Sequence, residues 1–534
     1  MNKKINARTI SLVLIFILIL ITIALLIGKF TYSYLAPTID DDVEGVGEVT
    51  ASGDTIIFTK GNTLSLSANT DNFATGGSNL TATTNPKVKL MASSKAESAS
   101  SKYFAGVIIK NNTYTYTTTD KKPEVILTVK DENGNIVESS ADNLKFVTVN
   151  NNLKGFDITG VNGAFNIVTD HIIATSGNKS EVIHTWTFTL TFVNLGTDQS
   201  NNENSTLNID VVLQKDKIPT TIADVCSNND KLSDCVINSY EKLGLLYHHD
   251  SSLINGAGDN SYRYAGASDQ VNNYVCFGSN VTPCPADNLY RIIGVFGDKV
   301  KLIKSDYATS ALLGADGDYS KMYTANGLNN SNYKGNNLAN VAAYTWNYKN
   351  NISINRGYGS NTWSTSLLNK TNLNKNFITN IGADWAAKIA DTTWKVGGNT
   401  NIANQPAKTA YQNEIVSPVT TNSTDNATTY SAKVGLMYAS DYGFAAAPSA
   451  WTANLSSYNG EAIKNVNWMY MGLLEWTISR TANLAYHVFT VTTSGYVDYY
   501  NANNAFGVRP VFYLSSSVNY ASGSGTAADP ISIN

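Results

Sequence analysis

The chain has 534 residues, a length that predicts two or three domains rather than a single hydrophobic core. Only 15% of the residues are charged, well below the usual quarter, whereas 30 Tyr and 38 Gly accompany abundant Asn, Thr and Ser. This hydrogen-bonding composition suits an extracellular β-rich protein that contacts sugars or other proteins through aromatic rings. The net charge of −4 provides no basic footprint, so we expect no nucleic-acid partner.

The N-terminal segment is basic and then strongly apolar. Three basic residues precede residues 10–27, which are apolar apart from Ser11 and Thr22. This pattern predicts a signal anchor over residues 1–30, a single membrane-spanning helix that leaves the bulk of the chain outside the cell. A protein secreted after signal cleavage is the alternative, although no clear small-x-small cleavage site follows the apolar run.

Residues 31–48 form an acidic segment. Its carboxylates alternate with glycines, and they are Asp40, Asp41, Asp42, Glu44 and Glu48. Like charges and glycine disfavour a packed core, so the segment predicts a solvated linker between the membrane and the next domain.

Residues 49–215 predict an all-β antiparallel sandwich. Runs rich in β-branched and aromatic residues occur at 55–59, 125–129, 185–193 and 207–213. The third run alternates strictly, because Trp186, Phe188, Leu190 and Phe192 share one face and Thr occupies the other. The region has no Cys, and its only histidines are His171 and His184. We therefore expect a structural module without a metal or nucleophile site.

One phrase of this region has a recognisable pattern. Residues 184–213, HTWTFTLTFVNLGTDQSNNENSTLNIDVVL, resemble the sandwich modules of exported Firmicutes matrix proteins related to TasA and camelysin. The resemblance implies a cell-surface or matrix role. The chain has no H-E-x-x-H metal helix, so the resemblance carries no protease activity to it.

The four cysteines form two close pairs, Cys226 with Cys235 and Cys276 with Cys284. Pairs at this spacing outside the cytosol predict two short-loop disulfides. Free thiols or a metal site are the alternatives, but neither pair has the C-x₂-C spacing typical of zinc sites.

Residues 220–534 predict a disulfide-containing α+β domain. Strands are expected at 288–296 and 299–304, joined by a tight turn, and at Glu475–Arg480. A second hairpin is expected from Tyr486–Thr492 and Tyr496–Tyr500, and a last strand from Phe506–Leu514, where Pro510 indicates an edge or a bulge. Helices are expected within 222–244, 363–381 and 385–389, and a polar surface loop over 395–430.

Five segments of this domain occur in a familiar order. They are Asn273-Tyr274-Val275, Leu289-Tyr290-Arg291-Ile292-Ile293-Gly294-Val295, Gly435-Leu436-Met437-Tyr438, Glu475-Trp476-Thr477-Ile478-Ser479-Arg480 and Gly507-Val508-Arg509-Pro510. Together they resemble an uncharacterised domain of exported Firmicutes proteins that ends in a G-V-R-P strand. That domain is similar to the C-type-lectin-like fold shared with formylglycine-generating enzyme.

The resemblance implies a lectin-like fold but neither of the activities best known for it. Gln405-Pro406 is followed by Ala407, and Asn467-Trp468 by Met469, so the calcium-bridged sugar motifs are incomplete. No Cys follows Cys284, which excludes the catalysis of formylglycine-generating enzyme. We expect no cofactor.

The candidate ligand-binding residues concentrate between positions 468 and 509. Aromatic side chains at Trp468, Trp476, Tyr496, Tyr499 and Tyr500 predict a platform for a sugar or a protein. The charged residues of the same stretch predict a structural ion network, or alternatively an anion-binding fork, and they are Glu475, Arg480 and Arg509.

The sequence contains no catalytic set, such as a G-x-S-x-G nucleophile elbow. We therefore expect a non-enzymatic, membrane-anchored adhesion protein with a lectin-like head on a β-sandwich stalk. Its expected partner is a glycan or a host or matrix protein, and its oligomeric state is left open. A structural subunit of an extracellular matrix or fibre is the first alternative, and an exported hydrolase is the second.

Overall fold

The computed structural model describes residues 46–51, 54–68, 77–93, 98–150, 152–176, 180–328, 331–348, 357–418 and 427–534. These residues are mostly in β-strands that pair antiparallel, and the helices are short and few. The architecture is consistent with the predicted β-sandwich. The predicted signal anchor over 1–30 lies outside the described residues, among which no helix is long and apolar enough to cross a membrane.

The first part of the described chain consists of the strands β1 Val46–Ala51, β2 Asp54–Thr59, β3 Leu64–Ser67, β4 Leu80–Thr84, β5 Lys87–Met91, β6 Ser100–Lys110, β7 Val125–Lys130, β8 Phe146–Asn150, β9 Leu153–Asp157, β10 Gly163–Ala174, β11 Glu181–Thr185, β12 Thr187–Phe192 and β13 Thr206–Gln214. They form three antiparallel sheets, with the strand orders β1-β2-β5-β11, β10-β6-β13-β3 and β4-β12-β7-β9-β8.

Three of the four predicted strands in this part of the chain are confirmed as β2, β7 and β13. The fourth, at 185–193, is divided at Trp186, because β11 pairs with β5 whereas β12 pairs with β4 and β7. β1 begins at Val46, inside the segment 31–48 that the sequence predicts as a linker.

The alternation of the fourth run nevertheless corresponds to one buried face. Trp186, Phe188, Leu190 and Phe192 are all fully buried, in one hydrophobic cluster formed by residues between Ile56 and Val211. Burial of one face of each strand is the main stabilising term here, at about 1.5–3 kcal/mol for each large apolar side chain.

The later part of the described chain contains the strands β14 Leu246–His249, β15 Ser261–Tyr264, β16 Tyr274–Cys276, β17 Leu289–Phe296, β18 Lys299–Lys304, β19 Tyr319–Met322, β20 Ala342–Thr345, β21 Thr392–Lys395, β22 Thr429–Ala432, β23 Val434–Gly435, β24 Glu475–Arg480, β25 His487–Val491, β26 Val497–Asn501, β27 Ala505–Phe506, β28 Val511–Tyr513, β29 Tyr520–Ser522 and β30 Ser532–Ile533. One sheet has seven strands, in which β14-β15-β17-β18-β28-β23 lie in order and β16 pairs with β17. The other strands form the small sheets β19-β20-β27, β24-β25-β26, β21-β22 and β29-β30.

Short helices connect these strands. The α-helices are Leu232–Asn238, Tyr240–Leu243, Ser310–Leu313, Ile378–Asn380, Ala383–Ala387, Ala407–Tyr411, Ala439–Ala445 and Glu461–Lys464, the π-helical segments are Leu368–Phe377 and Gln412–Val416, and the 3₁₀ turns are Ser200–Asn202, Ile222–Asp224, Ala286–Asn288, Thr324–Asn326, Leu338–Asn340, Trp363–Thr365, Ile402–Asn404, Pro448–Ala450 and Leu455–Ser457. Each predicted helical interval therefore contains helical turns, but none is one continuous α-helix.

Two predictions for the later part are wrong. The last strand expected at Phe506–Leu514 is two strands, because β27 pairs with β20 whereas β28 lies between β18 and β23. Pro510 lies just before β28 and not inside a strand, and its carbonyl accepts a hydrogen bond from the Lys304 N–H at 3.0 Å. The expected surface loop over 395–430 contains helical turns and fully buried side chains such as Ile402 and Glu414.

Both predicted disulfide pairs are at bonding distance in the structure. Cys226 pairs with Cys235 and Cys276 with Cys284, with Cα–Cα separations of 5.5 and 5.9 Å. A second hydrophobic cluster lies between Ile222 and Ile533, and it shares no residue with the first. The aromatic stretch from 468 to 514 contributes heavily to this second cluster.

Candidate functional site

Two of the predicted platform residues are interior side chains. Trp468 and Trp476 are buried, and their indole N–H groups donate to the carbonyl oxygens of Tyr264 and Tyr344, each at 2.9 Å. A buried indole whose N–H is satisfied belongs to the core. A ligand arriving from solvent does not reach these rings.

The three predicted charged residues are also buried. Arg509 binds Glu475 through two parallel hydrogen bonds, Nε to Oε1 at 2.7 Å and Nη2 to Oε2 at 2.9 Å. Burial disfavours the charged guanidinium, but the Glu475 carboxylate outweighs this effect and holds the pKa of Arg509 above its usual value. Arg480 donates from Nε to the Val396 carbonyl at 2.7 Å. All three side chains therefore have partners inside the protein.

The three predicted tyrosines have different environments. Tyr499 is 45% exposed, whereas Tyr496 and Tyr500 are half-buried. The Tyr500 ring packs edge-on against Phe506 at a centroid distance of 5.3 Å. Of the aromatic residues predicted to bind a ligand, Tyr499 is thus the one that is open to solvent.

Tyr499 belongs to a row of four rings on the surface, which we name the aromatic strip: Tyr358, Tyr486, His487 and Tyr499. Centroids of successive rings lie 5.2, 4.6 and 4.8 Å apart. The two end rings, Tyr358 and Tyr499, are 44% and 45% exposed, and the two middle rings are half-buried. The strip therefore presents a continuous aromatic surface with open ends.

The hairpin β25–β26 positions one end of the strip. Gly495 has a φ of 96°, which allows the tight turn, and the Thr492 N–H donates to the Tyr496 carbonyl at 2.9 Å. In this register Tyr499 pairs with Phe489 and lies diagonal to His487. Side chains two residues apart share a face, so buried Phe489 lies beside the rings of His487 and Tyr499.

The other end of the strip, Tyr358, lies in a loop. The Asn503 N–H donates to the Tyr358 carbonyl at 3.1 Å, and the Asn503 side chain donates to the Gly357 carbonyl at 2.9 Å. These bonds fasten the Tyr358 loop to the chain that leaves β26. The loop ring and the hairpin rings are therefore held in one surface.

The strip is uncharged at neutral pH. Burial lowers the pKa of His487, although Asn501 and Asp498 oppose this effect, so the imidazole is neutral. Asn501 pairs with His487 in the hairpin register and is half-buried. Aromatic faces beside an amide group can stack on the apolar face of a sugar ring and bond its hydroxyls.

Another candidate site is a depression of about 240 Å³ whose lining includes Asp287, Asp306 and Tyr333. Both Asp306 oxygens accept from the Tyr333 hydroxyl, at 2.9 and 2.8 Å, and one accepts the Asn336 N–H at 3.1 Å. The carboxylate is already occupied by groups of the chain itself. The depression is also smaller than ordinary ligand pockets, so the strip is the stronger candidate.

Sequence reasoning missed Tyr358, which lies far from the predicted platform in the chain, and it did not select Tyr486, which lies inside the stretch 468–509. It also set aside His171 and His184, which the structure brings to Glu132 with ligand atoms within 4.8 Å of one another. Their juxtaposition depends on sheet topology that no local spacing reports. Those three residues are the ones that can hold a metal ion among the residues the structure describes.

No protein-family model matches the chain, and no curated protein matches it significantly. The assignment of function therefore depends on the geometry of the chain's own residues.

Proposed function

We infer that this protein is a non-enzymatic glycan-binding protein whose binding face is the aromatic strip. The observation that carries this proposal is the row of four adjacent rings with both ends about half exposed. Exposed apolar groups that lie side by side mark interaction surfaces, whereas single scattered ones do not. A pyranose ring fits because its C–H face stacks on aromatic rings while its hydroxyls bond neighbouring amides.

A glycan is favoured over a charged ligand by the electrostatics of the strip. His487 is neutral because burial lowers its pKa, and no Lys or Arg is among the four rings. The buried arginines that first suggested an anion site are engaged inside the protein, with Arg509 on Glu475 and Arg480 on the Val396 carbonyl. A neutral aromatic surface selects a neutral, amphipathic ligand.

The same proposal extends to location and architecture. The apolar segment over 10–27 and the acidic linker favour a single-pass membrane anchor with the rest of the chain displayed outside the cell. The two disulfides agree with an oxidising compartment. We propose a lectin-like fold for residues 220–534, the head, because the segments that carry the resemblance include the strands β17 and β24.

A glycan array probed with the full chain tests the function. We expect binding to a restricted set of neutral glycans, and a fall in affinity of about 30-fold in the double variant Tyr358→Ser, Tyr499→Ser, because each stacked ring contributes roughly 1 kcal/mol. Ile254→Ser removes another exposed apolar side chain, 82% exposed, and should bind as the native protein does.

Other outcomes would reject the proposal. Silence across the array together with binding to immobilised matrix proteins would make the partner a protein. Filaments of the purified chain in electron micrographs, without glycan binding, would favour the structural-subunit alternative. Turnover of a bound glycan would identify a hydrolase instead.

A further inference from the structure

Three polar side chains converge in the sandwich part of the chain from three different sheets. Glu132 lies in the turn that follows β7, His171 lies on β10 and His184 lies on β11. The sheet of β7, the sheet of β10 and the sheet of β11 are separate hydrogen-bonded units. The cluster therefore stands where the three sheets approach one another, and it uses two of the five histidines of the chain.

The distances suit a small tetrahedral ion. Glu132 Oε2 lies 3.0 Å from His171 Nε2 and 3.9 Å from His184 Nδ1. Ligand atoms bound to zinc at about 2.1 Å are roughly 3.4 Å apart in a tetrahedron. The two distances to Glu132 Oε2 lie on either side of that value, and all three ligand atoms lie within 4.8 Å of one another, so side-chain rotations bring them onto one ion.

Neighbouring groups hold the Glu132 side chain and its turn in place. Asn133 Nδ2 donates to Glu132 Oε1 at 3.2 Å, which leaves Oε2 to face the imidazoles. The turn itself is fixed by Asp131, whose Oδ1 accepts the N–H groups of Asn133 and Asn135 at 2.9 and 2.8 Å. Supporting hydrogen bonds of this kind are what orient ligands in metal sites.

The base of the cluster is aromatic and ordered. Trp186 Nε1 donates to the Tyr103 hydroxyl at 2.8 Å, and that oxygen lies 3.0 Å from His184 Nδ1. The His171 ring packs edge-on against Tyr103 and Trp186, with centroids 5.2 and 5.1 Å apart. The His171 imidazole is thus packed from below, while Glu132 and His171 keep side-chain exposures of 18% and 23% that admit an ion from solvent.

We propose that Glu132, His171 and His184 bind a divalent transition-metal ion of the zinc class, with solvent in the fourth position. Two imidazoles and one carboxylate form a recurrent zinc donor set, whereas calcium and magnesium take oxygen ligands almost exclusively. Binding replaces the Glu132–His171 hydrogen bond, and it displaces the Tyr103 hydroxyl from His184 Nδ1. The ion then joins a turn and two strands of three sheets, and this site is independent of the aromatic strip.

Titration of the untagged, EDTA-stripped full chain with Zn²⁺ by calorimetry, and with Co²⁺ by visible absorption, tests the site. We expect one ion per chain and the intense visible bands of four-coordinate Co²⁺. The variants Glu132→Gln and His171→Gln should each lower the affinity at least about tenfold. His248→Gln is the matched control, because His248 Nδ1 also lies near a carboxylate, Asp250, at 3.3 Å, and it should leave zinc affinity unchanged.

Melting curves in EDTA separate a binding defect from a folding defect. Glu132→Gln is isosteric and should melt within a few degrees of the native protein in EDTA, but it should lose the rise in melting temperature that zinc gives the native chain. Absence of stoichiometric zinc binding by the native chain would overturn the proposal. Retention of native affinity in both ligand variants, or its loss in His248→Gln, would also overturn it.

Discussion

Arg509 and Glu475 form a two-point ion pair in the interior of the head, with both side chains no more than 2% exposed. Glu475 begins β24, and Arg509 lies just before β28, so the pair joins a small three-stranded sheet to the seven-stranded one. Arg509 Nη2 also donates to the Met469 carbonyl at 2.8 Å. The pair thus fastens three separate segments of the aromatic stretch at one point.

Removal of one member of the Arg509–Glu475 pair should destabilise the protein. Arg509→Ala leaves the Glu475 carboxylate buried without its counter-charge, so we expect the free energy of unfolding to fall by about 3–5 kcal/mol. Thermal melting followed by near-ultraviolet circular dichroism measures the change, because the buried tryptophans report on the head.

The double variant Arg509→Met, Glu475→Leu is the control for this prediction. It removes both charges and fills a similar volume, and we expect it to recover most of the lost stability. An Arg509→Ala protein that melts like the native chain, yet no longer binds a ligand, would show that the arginine is a ligand contact and not a structural residue.

Glu414 should make the head less stable as the pH rises. It is fully buried, and burial raises its pKa to about 7, although hydrogen bonds from Ser440 and Ser479 oppose the shift. The folded state therefore retains a proton that the unfolded chain, with a carboxyl pKa near 4.5, has lost. Between these two values stability falls with increasing pH, by about 3 kcal/mol in total.

Glu414→Gln tests this directly, because an amide can accept from the Ser440 N–H and donate to the Ser479 hydroxyl without ionising. We expect the variant to match the native melting temperature at pH 5 and to exceed it at pH 8. The quantity to compare is the difference between variant and native protein at each pH, which cancels the contribution of other groups. Equal differences at both pH values would exclude a buried titrating Glu414.

Local sequence signals predicted much of this fold. The two hairpins, at 289–304 and 487–501, are confirmed because turn glycine and β-branched flanks specify them within a short stretch. The disulfide pairs are confirmed for the same reason, since each closes a loop of fewer than ten residues. Alternation at 186–192 correctly identified a buried face.

The sequence predictions failed where contacts between residues far apart in the chain determine whether a side chain is buried. The polar composition of 395–430 indicated a loop, but Glu414 is buried by partners at 440 and 479 that no local pattern announces. His171 reaches Glu132 across 39 positions through the approach of two separate sheets. The aromatic composition of 468–500 did not distinguish Trp476, which lies in the core, from Tyr499, which lies on the surface. Composition indicates that a stretch is rich in aromatic residues, but the sheet topology determines which of them are exposed to solvent.

The cysteines should be fully oxidised in the exported protein. Alkylation without a reductant should add no mass, and alkylation after reduction under denaturing conditions should modify all four thiols. The double variant Cys276→Ser, Cys284→Ser opens a loop with a sequence separation of eight, so it should lower the free energy of unfolding by about 2–3 kcal/mol. Four thiols alkylated in the native, unreduced protein would contradict both disulfides.

Tyr499 and Tyr500 offer a matched pair, because they are adjacent in β26 and their side chains point to opposite faces of the hairpin. Tyr499→Ser should lower glycan affinity about fivefold, which corresponds to roughly 1 kcal/mol for one stacked ring, and should leave the melting temperature unchanged. Tyr500→Ser should instead lower the free energy of unfolding by about 1–2 kcal/mol, since its ring packs on Phe506. At a temperature where both variants are folded, Tyr500→Ser should bind the glycan normally. If the Tyr500 variant loses binding while the Tyr499 variant retains it, the binding face is the opposite side of the hairpin.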